Sequence, residues 1–98
     1  MQLKVNNQKF EIGPNVSLID AYLKEAYLAG VDLSGANLLH ANLEGSLLSG
    51  AYLSGANLGG ANLKRANLRG AHLYGAHLGR ANLSQAFMSG ANMSGAHM

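Results

Sequence analysis

From Val16 to Met98 an apolar pair recurs every five residues, with no insertion or deletion. The units read Ala51-Tyr52-Leu53-Ser54-Gly55, Ala56-Asn57-Leu58-Gly59-Gly60, Ala61-Asn62-Leu63-Lys64-Arg65, and onward. The central residue is Leu from Leu18 to Leu83, then Met at Met88, Met93 and Met98; two positions earlier stands Ala, except at Val16, Val31 and Ser46. On an α-helix a step of five advances the side chain about 140° past a full turn, so the pair would wander over every face. On a straight strand the odd step would send alternate Leu residues to opposite faces. Neither element buries this pattern.

Within one unit the Ala and Leu are two apart and point to the same side of an extended segment. If the chain turns a corner after each unit, every pair faces one interior. The residue two after the central position suits that corner, being Gly at ten units, where the third position of a type II turn needs positive φ. At Asp20, Glu25, His40, Arg65, Arg80 and Gln85, which occupy the same slot, a different corner geometry is expected. Corners of about 90° close a square in four units, and residues twenty apart then stack at about 4.8 Å. Each buried Leu contributes roughly 1.5–3 kcal/mol.

Residues 1–15 do not follow the period. Leu3 and Val5, then Phe10 and Ile12, alternate with polar residues on either side of Asn6-Asn7-Gln8, which predicts two short strands joined by a turn. Gly13-Pro14-Asn15 ends them. The expected division is an N-terminal cap over 1–15 and a repeat helix over 16–98. A flexible tail or a separate docking segment is the other reading of 1–15.

The tandem motif A(N/D)LXX, seen in Ala36-Asn37-Leu38-Leu39-His40 and Ala81-Asn82-Leu83-Ser84-Gln85, resembles the pentapeptide repeat family, in particular its short bacterial, cyanobacterial-like members. The resemblance covers about five-sixths of the chain. It implies an all-β fold, the right-handed quadrilateral parallel β-helix, here with about four coils and roughly 20 Å tall on the strand spacing. Some members of that family resemble double-stranded DNA and protect DNA gyrase. Others are effectors or have no assigned activity.

Charge bears on that choice. The chain of 98 residues carries seven Lys and Arg against five Asp and Glu. All five acids, Glu11, Asp20, Glu25, Asp32 and Glu44, precede residue 45, whereas Lys64, Arg65, Arg69 and Arg80 follow it. A duplex presents one charge per about 1.7 Å, so a mimic of this height needs on the order of a dozen acids. The basic cluster is equally sparse for a nucleic-acid footprint. A gyrase-directed or nucleic-acid-directed regulator is therefore the alternative, and a non-catalytic structural or interaction module the main expectation.

Outward positions supply the contact candidates. One column carries Tyr27, Leu47, Asn67 and Phe87, and the next carries Asp32, Tyr52, His72 and Asn92; apolar groups there form a candidate partner surface through Tyr27, Leu47, Phe87 and Tyr52. The column Asn42, Asn62, Asn82 reads as structural, its amides bonding along the axis and to nearby backbone. His77 and His97 stack, with no Cys in the chain and no acid in its second half to complete a metal shell. No metal or other cofactor is expected. The recurrent Ser residues follow the turn, with no acid or base set beside one of them, so no enzyme is expected.

The last three central residues, Met88, Met93 and Met98, suit an adaptable contact, because the thioether is flexible and a terminal coil needs covering. The expected partner is a second copy, or another repeat protein continuing the helix, met through the C-terminal coil. No apolar leader opens the sequence and no window has the length of a membrane span, which places the expected protein in the cytoplasm with no membrane partner.

Overall fold

The computed structural model describes residues 1–98. Strands β1 (Gln2–Val5) and β2 (Gln8–Glu11) pair antiparallel, with Leu3 opposite Phe10 and Lys4 opposite Lys9. Asn6 and Asn7 both adopt positive φ, 49° and 66°, which makes the two-residue connection the primed turn that matches strand twist. Gln8 belongs to β2 and not to the turn.

The repeats then wind as a right-handed quadrilateral β-helix, pairing in parallel at an offset of twenty residues, as in Tyr22 with Asn42, Asn42 with Asn62 and Asn62 with Asn82. Three backbone bonds per unit lock one coil to the next. Around residue 42, its N–H donates down to the Ala21 carbonyl (2.9 Å) while its carbonyl accepts from Leu23 N–H (2.8 Å). At the corner, Asp20 N–H donates up to the Leu39 carbonyl (2.9 Å). The interior is a column of fully buried Leu, from Leu23 to Leu73, flanked by Ala or Ser except at Leu33, whose slot holds Val31.

Every corner is alike. The N–H after each corner donates back three residues, for example Ala61 to the Leu58 carbonyl at 3.0 Å. The third turn residue is left-handed whether it is Gly (φ 64° to 73°) or Asp20, Glu25, His40, Arg65, Arg80 or Gln85 (φ 59° to 62°). The different corner geometry expected at those six positions does not occur. A left-handed non-Gly residue costs about 1–2 kcal/mol, but leaving that conformation would forfeit the turn bond and the inter-coil bonds on either side of it.

The outward Asn slot has its own role. Asn37, Asn42, Asn57, Asn62, Asn67, Asn82 and Asn92 each accept, through Oδ1, the backbone N–H two residues on, at 2.9 to 3.2 Å. That N–H belongs to the second turn residue and takes no part in the inter-coil ladder. The Asn side chain thus supplies the acceptor that the coil cannot. These bonds run within a unit; the amides do not bond one another along the column. Asp32 does the same for Ser34 N–H at 2.9 Å.

Candidate functional site

The two ends of the helix differ. At the N-terminal end the hairpin lies over the first coil: Phe10 and Ile12 are buried, Leu3 and Val5 pack beside them, and Leu18, Leu23, Leu28 and Leu33 are inaccessible or nearly so. At the other end the last layer is half-open. Ala81, Leu83, Ala86, Met88, Ala91, Met93 and Ala96 are only partly buried, and Met98 is 76% exposed.

The backbone there is open too. In lower coils each central N–H donates upward, as Leu63 does to the Asn82 carbonyl at 2.7 Å, and each Ala carbonyl accepts from above, as Ala61 does from Asn82 at 2.9 Å. The N–H groups of Leu83, Met88 and Met93 and the carbonyls of Ala81, Ala86 and Ala91 have no such partner. The coil from 81 to 98 therefore presents an apolar centre framed by unpaired donors and acceptors. Of the candidate contacts, Met88, Met93 and Met98 lie together on this face.

The lateral candidates are distributed differently. Tyr27 and Leu47 are paired neighbours on one side and both are exposed; Asn67 separates them from Phe87. Phe87 is overlaid by Arg69, whose guanidinium carbon lies 4.4 Å from the ring centroid. Tyr52, on the next side, stacks on His72 with centroids 4.6 Å apart. His77 stacks on His97 at 5.0 Å, and no group of three His, Asp or Glu is positioned to hold a metal ion.

Glu44 accepts from Arg65 one coil up and from Asn62 Nδ2, which neutralises one member of the basic cluster. Stacking by twenty sets Glu44 under Lys64, so its pairing with Arg65, one residue further on, comes from the structure and not from the spacing. The buried hydroxyl of Ser46, which has no hydrogen-bond partner, was not singled out from the sequence, since Ser and Ala fit the small slot equally.

A family model for pentapeptide repeats matches in eight copies, over residues 15–50, 46–85 and 71–98. The chain belongs to the pentapeptide repeat family. As a pentapeptide repeat protein it is similar in structure to one from the thylakoid lumen of Arabidopsis thaliana, at 34% identity and a TM-score of 0.79. That match covers 82% of this chain and 56% of the Arabidopsis chain, so the 98 residues span little more than half of that relative. A pentapeptide repeat protein from Nostoc PCC 7120 is 37% identical, with a TM-score of 0.73, over 85% of this chain and 80% of its own. A plasmid-mediated fluoroquinolone resistance protein shares the fold at 20% identity and a TM-score of 0.56, over 88% of this chain and 50% of its own. No curated protein matches the chain at a significant level. The matching family model is a structural repeat and not a catalytic one, and no helix is long and apolar enough to cross a membrane.

Proposed function

We propose that this pentapeptide repeat protein is a non-catalytic interaction module that associates with a second copy through the coil at residues 81–98. The observation that carries this reading is the coincidence, on one face, of a partly exposed apolar layer and unpaired backbone groups. Either feature alone invites association; together they call for an occupant that supplies both apolar surface and strand edges. A two-fold-related copy supplies both. Head-to-tail stacking is disfavoured because the hairpin occupies the opposite end of the core.

Sedimentation equilibrium over a wide concentration range, with the wild type beside Met93→Lys, tests the proposal. A dimer that the substitution abolishes supports it. A monomer in both cases overturns self-association and leaves another repeat protein as the cover, to be sought by affinity capture.

A gyrase-directed or nucleic-acid-directed role is the second reading, favoured by the fold shared with the resistance protein. The confinement of all five acids to the first 44 residues opposes it, and absence of any effect in a supercoiling assay would dispose of it. The proposed site of action is the cytoplasm; the Arabidopsis relative comes from the thylakoid lumen, so cell fractionation is the relevant test.

A further inference from the structure

Far from the C-terminal coil lies a cleft of about 460 Å³. One wall is β1 with Asn6; the other is the first coil at Tyr22 and from Lys24 to Tyr27. Leu3, Lys4 and Val5 of β1 and the turn residue Asn6 line it in succession, and no residue of β2 does. A cavity against a sheet face would touch alternate residues of both strands, so this one runs along the outer edge of β1.

Both walls carry unpaired backbone. Met1 and Ile12 exchange two hydrogen bonds, at 2.7 and 2.8 Å. By the alternation of an antiparallel ladder, Leu3–Phe10 and Val5–Gln8 are then the other bonded pairs, and the N–H and C=O groups of Gln2 and Lys4 point away from β2. Neither residue has a backbone partner. Across the cleft, the N–H and C=O groups of Tyr22 and Tyr27 are also free, although the equivalent groups at Asn42 and Leu47 are all bonded to the coil below. An extended strand is the ligand shape that satisfies the free edge of β1, with the free groups of Tyr22 and Tyr27 flanking it on either side of a corner.

The side chains select its chemistry. Tyr22 and Tyr27 are exposed, 44% and 68%, and stand beside half-buried Leu3 and Val5, which suits apolar residues at alternate positions. Lys4 lies directly across the hairpin from Lys9, an unfavourable like-charge pair, and Lys24 lines the opposite wall. The acid in the lining, Glu25, turns its side chain up the corner: its Cγ would lie 3.2 Å from a Cβ placed at Gly45. The cleft therefore presents mainly positive charge.

We infer that the cleft between β1 and the first coil captures an extended, acidic segment of a partner protein by strand addition, its alternate apolar side chains lying against Tyr22 and Tyr27. The four residues of β1 extend about 13 Å, enough to register a segment of about four residues.

The probe is an acetylated, amidated octapeptide alternating valine and glutamate, titrated into the full chain while backbone amide resonances are followed. The expected result is saturable shifts at Gln2, Lys4, Tyr22 and Tyr27, with those of Met88 and Met93 unmoved. The same peptide N-methylated at alternate amides, and a valine–lysine counterpart, are expected to bind about tenfold more weakly or worse. Within the protein, Lys4→Pro removes an outward N–H that β2 does not use, and Lys4→Ala removes the same charge alone. Proline is expected to weaken binding beyond alanine, with the thermal transition of each variant reporting its folding. Absence of shifts with the valine–glutamate peptide, or equal affinity for its N-methylated form, overturns strand addition even if Lys4→Pro fails to fold. Equal binding of the lysine peptide overturns the acidic assignment.

Discussion

Asn57 accepts the N–H of Gly59, two residues along its own chain, at 3.0 Å through Oδ1, while Leu58 between them is fully buried. The two side chains serve different needs. Asn57 satisfies one turn N–H at the surface, whereas Leu58 fills the interior. Leu58→Ala is expected to cost about 2–5 kcal/mol, and Asn57→Ala about 1 kcal/mol, measured by denaturant unfolding. Comparable losses would mean that the inward and outward slots are misassigned.

Ser46 stands where most units have Ala, and its hydroxyl is buried without a partner. Ser46→Ala removes an unsatisfied polar atom and keeps the volume close to that of its neighbours. Stability should rise by about 1 kcal/mol, read as a higher denaturation midpoint at unchanged slope. A loss of stability would show that the hydroxyl has an acceptor in solution.

Gly60 and Gly30 share the left-handed corner conformation, but their surroundings differ. A Cβ at Gly30 meets open space, whereas one at Gly60 falls on the His40 ring, where Nδ1 would be closer than any real contact. Gly30→Ala is expected to cost about 1 kcal/mol, the strain of positive φ alone, and Gly60→Ala more. The excess should vanish in a His40→Ala background. A double-mutant cycle with no coupling between positions 40 and 60 would contradict the packing.

Asp32 is held below the usual aspartate range, first by the backbone N–H of Ser34 and then by the Ser34 hydroxyl. A depressed folded pKa contributes stability that is fully present above the unfolded value and is lost as pH falls through the folded one. The carboxyl resonance of Asp32 should titrate lower than in an unstructured peptide of the same sequence. Asp32→Asn keeps the Oδ1 acceptor and should remove this site's contribution to acid sensitivity; an unaltered acid transition would assign that sensitivity elsewhere.

The fold was legible because its information is periodic. A step of five with Ala and Leu two apart admits one burial scheme, and an offset of twenty then places every outward residue, including the Tyr52–His72 and His77–His97 stacks. It sets Glu44 under Lys64, whereas the ion pair forms with Arg65, one residue further on. Corner conformation was less legible. Residue identity suggested that Asp20, Glu25, His40, Arg65, Arg80 and Gln85 would turn differently from Gly, yet all share its φ sign. Intrinsic preference at one residue is outweighed where three backbone bonds per unit constrain the path.

The sequence by itself determined the solenoid, the identity of its interior and the columns on its sides, since nearest-neighbour stacking makes each of these a local consequence of the repeat. Only the tertiary structure decided how the aperiodic segment meets the repeat. The cap over 1–15 and the contact face at Met88, Met93 and Met98 were already expected from the sequence; the structure fixed how the hairpin seats on the first layer and opened a cleft between Lys4 and Tyr27 with free backbone on both walls. Residues 1–15 lie outside the period, so no offset relates Leu3 or Lys4 to the coil they meet. Their position depends on how one aperiodic segment packs against a finished surface, which is a non-local contact that no spacing encodes.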